Sequence, residues 1–319
     1  MARLALIVFL WLICLCVSAK AIDSVASPII GGIRQYIQIK GRDSSNPILL
    51  FLHGGPGGSV LSYSDKFTSR LQEHFVVVQW DQRETGKTLE LNPTNAKLTF
   101  SLFQQDTYEL ILFLLNKFDQ SKIYLVGHSW GTALGFQMAR QFPDLIHAYV
   151  AIGSMTAQFE SEMLALNLLK EKAARDKNKT ALAELAQVHI PFENGQQLFY
   201  HRTWLLDFMG SKRRLSKEYV ESWAATWLDV FNEASEVDLN SFAPVLHCPV
   251  YFFAGRKDYQ TNSWLTEKYF KKLIAPKKEF FWFEHSAHGI PSSEPDKVQK
   301  VIIEFILPAT YPAGGHSLH

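Results

Sequence analysis

The chain has 319 residues, 47% of them hydrophobic and 20% charged, an ordinary globular balance with enough length to bury a substantial core. A formal net charge of +1 gives no electrostatic footprint for nucleic acid, and the longest basic run, Lys212-Arg213-Arg214, is accounted for by a solvated helix start. No cysteine and histidine grouping has metal-ligand spacing, so the sequence implies no metal and no other cofactor.

Arg3 opens the chain as a short positive region, and Leu4 to Val17 follow as an apolar run. Ala19-Lys20-Ala21 then places small residues at the two positions a signal peptidase reads. The run is shorter than the roughly 20 residues a membrane span needs. Residues 1–21 are therefore expected to be a cleaved export signal, giving a periplasmic or secreted protein with no stable membrane partner. An uncleaved N-terminal anchor is the alternative. Cleavage removes Cys14 and Cys16 and leaves Cys248, so no internal disulfide is expected. Cys248 precedes Pro249 and an apolar run, which reads as a buried structural thiol.

Beyond the leader, short apolar runs rich in β-branched and aromatic residues predict strands at Ile48 to Leu52, Phe75 to Trp80, Ile123 to Val126, Ala148 to Ile152, Val250 to Phe253 and Phe280 to Phe283, with Tyr36 to Ile39 as an earlier edge strand. Helical spacing alternates with them at Ser101 to Phe118, Thr132 to Gln141, Ser263 to Leu273 and Glu294 to Ile306. Such alternation predicts an α/β fold, a mostly parallel sheet with helices on both faces. It breaks between Met155 and Phe242, where the spacing is helical throughout. The organisation read from this pattern is a core at 22–154, an inserted helical cap at 155–242, the rest of the core at 243–307 and a frayed tail at 308–319.

The run Ile123 to Val126 ends in Gly127-His128-Ser129-Trp130-Gly131, and a helical segment follows. Strand, sharp turn and helix are the setting of a nucleophile elbow. With glycine and serine each at about 7% of residues, the pattern alone arises by chance in roughly one chain in ten of this length. Partners must decide it. Ile48 to Leu52 runs into His53-Gly54-Gly55-Pro56-Gly57-Gly58, which lacks the Gly-Lys-Ser/Thr ending of a phosphate-binding loop. It falls where an acyl-transfer enzyme needs main-chain donors, and the N–H groups of Gly55 and Trp130 are the expected oxyanion pair.

With a nucleophile on such an elbow, the acid and then the histidine follow along the chain. That order, with the histidines of the cap, the tail and a core strand's start set aside and His247 placed before the best acid, leaves His285 and His288 of eleven. His288 stands in the short loop Ser286-Ala287-His288-Gly289 and is the expected base, whereas His285, nearer the strand end, reads as a wall residue. Val250 to Ala254 ends in Gly255-Arg256-Lys257-Asp258, and a carboxylate at the carboxyl end of a strand is where catalytic groups gather in open α/β sheets. Asp258 is therefore the expected acid. Asp144, the competitor, reads as the end of the elbow helix.

These motifs, with Trp80-Asp81-Gln82-Arg83, together resemble the proline iminopeptidase family of α/β-hydrolase serine hydrolases over most of the chain outside leader and tail. The resemblance implies an α/β-hydrolase core with a helical cap, release of N-terminal residues from peptides, and a supporting role for Asp81 and Arg83. Two departures stand out. Glu84 replaces the glycine usual after the arginine. The cap acids that hold the substrate's ammonium in aminopeptidase members are not aligned here, leaving Glu218, Glu221 and Asp229 as candidates beside Trp223 and Trp227. The expected substrate is a small peptide, with a small apolar ester or lactone, and so a carboxylesterase, as the alternative.

Overall fold

The computed structural model describes residues 20–92 and 97–311. Residues 1–19, most of the expected export signal, lie outside the described residues, as do residues 312–319 of the expected tail.

Eight strands form one sheet: β1 (Ile22–Ala26), β2 (Ile37–Gly41), β3 (Ile48–Leu52), β4 (Val76–Trp80), β5 (Ile123–His128), β6 (Ile146–Ile152), β7 (Val250–Gly255) and β8 (Lys278–Phe283). Their spatial order is β1-β2-β4-β3-β5-β6-β7-β8. β2 pairs antiparallel with both β1 and β4, and every other neighbour pairing is parallel. Alternation along the central strands sends side chains to two separate cores. Leu50, Leu52, Val76 and Val78 pack on one face, and Leu49, Phe51, Val77 and Tyr124 on the other.

The crossovers are helical, as the spacing predicts. α1 (Phe100–Phe118) links β4 to β5, α2 (Trp130–Gln141) links β5 to β6, and a later helix, Ser263–Lys272, links β7 to β8. α1 starts after Thr99, whose hydroxyl accepts the Leu102 N–H. Between β6 and β7 lie α3 (Gln158–Arg175), α4 (Lys179–Leu185), α5 (Gly195–Phe208) and α6 (Lys217–Ser235), followed by a single helical turn at Leu239–Phe242. Their base is tied by one bridge between Ala157 and Asp238, which helical spacing could not announce.

Two other differences from the sequence expectations have clear causes. β1 carries Asp23 and Ser24 and leaves most of its side chains exposed, so no apolar run marks it. Pro308 to Thr310 are not frayed: they lie in a helical turn, Thr310 Oγ1 is 2.9 Å from the Tyr124 hydroxyl, and the Tyr311 ring meets His147 edge-on.

Past β4, Arg83 makes two 2.9 Å hydrogen bonds to Asp106 of α1, both side chains being buried, and donates also to the Gly31 carbonyl. Asp106→Ala leaves this guanidinium unpaired in the interior. A loss of about 3–5 kcal/mol of stability is expected, read as a fall in the urea midpoint; an unchanged midpoint contradicts the account.

Candidate active site

The turn after β5 sets the centre of the site. Ser129 has φ 53° and ψ −120°, a left-handed backbone rarely adopted outside glycine. Two bonds hold it there: Ser129 N–H donates to the Ile152 carbonyl, and the Thr132 hydroxyl donates to the Ser129 carbonyl. The glycine at 131 is required by close approach, because a Cβ there would sit 2.1 Å from the Leu52 carbonyl oxygen. β3 and α2 can therefore touch only through a glycine.

The loops after β7 and β8 bring Asp258 and His288 to this turn. His288 Nε2 lies 2.9 Å from Ser129 Oγ, and its Nδ1 lies 2.9 Å from Asp258 Oδ2. Asp258 is itself fixed from three directions. Its Oδ1 accepts the backbone N–H groups of Gln260 and Thr261, and its Oδ2 accepts the Thr261 hydroxyl. Burial pushes the Asp258 carboxyl up, but His288 and the Thr261 donors outweigh it and hold the group below the usual range. It is thus a carboxylate acceptor for the imidazole N–H, the arrangement that fixes tautomer and ring orientation. His285 is exposed, with its N–H on Glu294, and Asp144 lies in a short turn after α2; neither approaches Ser129.

Gly55 and Ser129 border the same cavity, and Trp130 begins α2. Among the described residues, neither the Gly55 nor the Trp130 N–H donates to another protein group. Both main-chain donors are therefore left without a protein acceptor. Gln82 links the two segments: its N–H donates to His53 Nε2, its Nε2 to the His53 carbonyl, and its Oε1 accepts the Trp130 indole N–H at 3.0 Å. No spacing in the sequence marks this bracing. Glu84 adopts φ 57°, a left-handed conformation that glycine takes without strain, which accounts physically for the glycine usual there in the similar family.

His128 bridges from the nucleophile's strand to the base's loop, its Nε2 lying 3.0 Å from the His288 carbonyl oxygen. Burial and then the neighbouring His288 hold it down at about 4. His201, fully buried in the cap, is held at about 4 chiefly by burial. An unfolded histidine titrates near 6.5. Between that value and about 4, the unfolded chain binds protons the native chain does not, so stability falls as pH drops through this window. The urea midpoint is expected to be lower at pH 5 than at pH 7.5; equal midpoints contradict the assignment. Cys248 is buried with its thiol pushed up to about 12 by burial, consistent with a packing role.

The cavity over Ser129 measures about 180 Å³, and its walls come largely from the cap: Met155, Leu198, Leu206, Leu215, Trp223 and Phe231 supply apolar surface. Trp223 also donates its indole N–H to the Pro56 carbonyl. The other cap candidates lie elsewhere. Trp227 is buried against Gly57 and Phe103, Glu218 faces solvent with its carboxylate on the Ser216 hydroxyl, and Glu221 and Asp229 line a different groove beside Asn194. Helical periodicity fixes which residues share a face but not how the cap sits on the core, so these positions were not separable from sequence. The charged residues on the cavity wall are Arg202 and Arg213. Arg202 forms a two-point ion pair with the buried Glu162, whose carboxyl is pushed up by burial yet held low by that guanidinium.

A strained serine, a histidine and a fixed carboxylate thus meet beyond the carboxyl ends of parallel strands. The alpha/beta hydrolase fold model matches residues 47–295, and the chain belongs to that family. Among individual proteins, it is 28% identical over 300 residues to the probable aminopeptidase YbaC of Bacillus subtilis, covering 86% of this chain and 94% of that protein. It is 24% identical over 297 residues to a proline iminopeptidase of Heyndrickxia coagulans, covering 87% and 96%. The crystal structure of proline iminopeptidase from Mycobacterium smegmatis superposes with a TM-score of 0.62 at 17% identity, covering 90% of this chain and 98% of that one, a likeness of fold.

Proposed function

We propose that this hydrolase is a serine hydrolase that cleaves an amide or ester through an acyl-enzyme on Ser129. The observation that carries the proposal is His288, whose two ring nitrogens lie 2.9 Å from the Ser129 hydroxyl and the Asp258 carboxylate. His288 Nε2 takes the hydroxyl proton as Ser129 Oγ attacks the substrate carbonyl carbon. The oxyanion is received by the N–H groups of Gly55 and Trp130. Collapse breaks the bond to the leaving group, which departs with the proton from His288; a water then repeats the cycle and frees the acid. Asp258 stays a carboxylate throughout, orienting the imidazole and stabilising its charged form.

The preferred substrate reading is release of N-terminal residues from short peptides, supported by the names of the B. subtilis and H. coagulans relatives. Esters of small apolar acids are the second reading, favoured by the wall itself: apolar side chains dominate, and Glu218, Glu221 and Asp229 do not border the cavity. Proline β-naphthylamide and short p-nitrophenyl esters, assayed side by side, separate the two. Arylamide turnover is expected, and ester turnover without it contradicts the peptidase reading. Export through the N-terminal segment belongs to the same proposal, and its test is N-terminal sequencing of the mature protein, with Ile22 expected first.

A further inference from the structure

Gln158, on the first turn of α3, borders the cavity with Ser129 and is 2% exposed. Both N–H donors of its amide are engaged, one on Glu162 Oε1 at 2.8 Å and one on the Gln260 carbonyl at 3.0 Å. Turning the amide over would place its oxygen against a carboxylate and a carbonyl, so the orientation is determined by the surroundings. The consequence falls on Oε1, which is buried and receives no hydrogen bond from the protein. Among the described residues, Gln158 alone both borders this cavity and holds such an unpartnered atom. A buried acceptor without a donor is destabilising, and at a cavity wall a donor from outside the protein is one way to complete it.

We propose that Gln158 Oε1 receives a hydrogen-bond donor carried on the acyl part of the substrate, foremost a free amine. This rests on the reading of Ser129 as the acylated residue. Glu162 and Arg202 are the fixed support: the ion pair neutralises charge behind the amide and pins its N–H side. The site thereby recognises an amine through a neutral acceptor, without a cap-helix carboxylate at the cavity wall. Either protonation state of the amine has an N–H to donate.

Matched acyl groups test the contact. Alanyl and propionyl β-naphthylamides, with the corresponding β-naphthyl esters, differ by the amine alone. For the wild-type enzyme, kcat/KM is expected to favour the alanyl member by about tenfold or more, the scale of one buried hydrogen bond. Gln158→Met is expected to bring the alanyl-to-propionyl ratio of kcat/KM to about one, whatever change it makes to both members in common. Should this variant fail to fold, Gln158→Asn, which keeps the amide but withdraws its oxygen, is expected to show the same selective loss, and the wild-type ratio stands as an independent reading. No wild-type preference for the amine, as when a water alone meets Oε1, overturns the inference. So does a parallel fall for both members in the variants, which marks a structural role. Labelling by a fluorophosphonate is followed throughout: a wild-type enzyme that labels at Ser129 but ignores the amine contradicts this inference alone, whereas absence of labelling contradicts the acyl-enzyme reading beneath it.

Discussion

Ser129→Ala is expected to lower kcat by about 10⁶-fold on any substrate the enzyme turns over, with KM little changed. The hydroxyl is the atom that forms the covalent intermediate, so nothing in the cavity replaces it. His288 and Asp258 retain their 2.9 Å contact without it, and the substrate still meets the same cavity walls. Because the left-handed backbone at 129 is imposed by the bonds at Ile152 and Thr132, alanine inherits the same strain and the fold is expected to survive. Burst kinetics should disappear together with turnover. An alanine variant within about tenfold of wild type would mean that the chemistry runs elsewhere.

Asp258→Asn is expected to be the second largest loss, about 10⁴-fold in kcat. The side chain keeps its size, and its Oδ1 equivalent can still accept the N–H groups of Gln260 and Thr261. What changes is the atom facing His288. An amide that keeps its oxygen toward Gln260 and Thr261 presents NH₂ to His288 Nδ1. The ring then places its proton on Nε2, where it can no longer take one from Ser129. The Thr261 hydroxyl, which donates to Oδ2 at 2.8 Å, loses its acceptor as well. The expected signature is a fall in kcat with a native melting temperature. A variant with near wild-type kcat contradicts the role assigned to the carboxylate.

Residue order carried much of the site. Strand ends are marked by apolar runs stopping at Gly127, Gly255 and the loop before His288, and parallel strands deliver those ends to one edge of the sheet. Linear order narrows the choice, placement at a strand end then favours Asp258 over Asp144 and placement in the loop favours His288 over His285, and the distances bring the chosen three together. Where contacts depend on how two elements sit against one another, the sequence was silent. Gln82 bridges His53 and Trp130 only because β4, β3 and α2 converge. Trp223 and Trp227 share a helix and an aromatic character, yet one borders the cavity and the other is buried under the glycine loop. Glu221 and Asp229 turn toward another groove for the same reason. Gln158 gave no signal at all. A glutamine at the start of an amphipathic helix becomes informative only once both its N–H groups are accounted for.

β1 and the end of the chain show the limit in the fold itself. An exposed edge strand carries Asp23 and Ser24 without penalty, since only one of its sides is paired and its neighbour β2 supplies the buried residues. Pro308 suggested an end to order, but a proline fits the first turn of a helix, and Tyr311 brings its own ring to the surface of the sheet.

The account stands most directly on one measurement, the site of covalent modification by a fluorophosphonate, mapped by peptide mass spectrometry on the full-length protein. A single adduct on Ser129 is predicted, abolished by Ser129→Ala and strongly slowed by His288→Ala. An adduct on another residue, or none under conditions that label a known serine hydrolase, would contradict it.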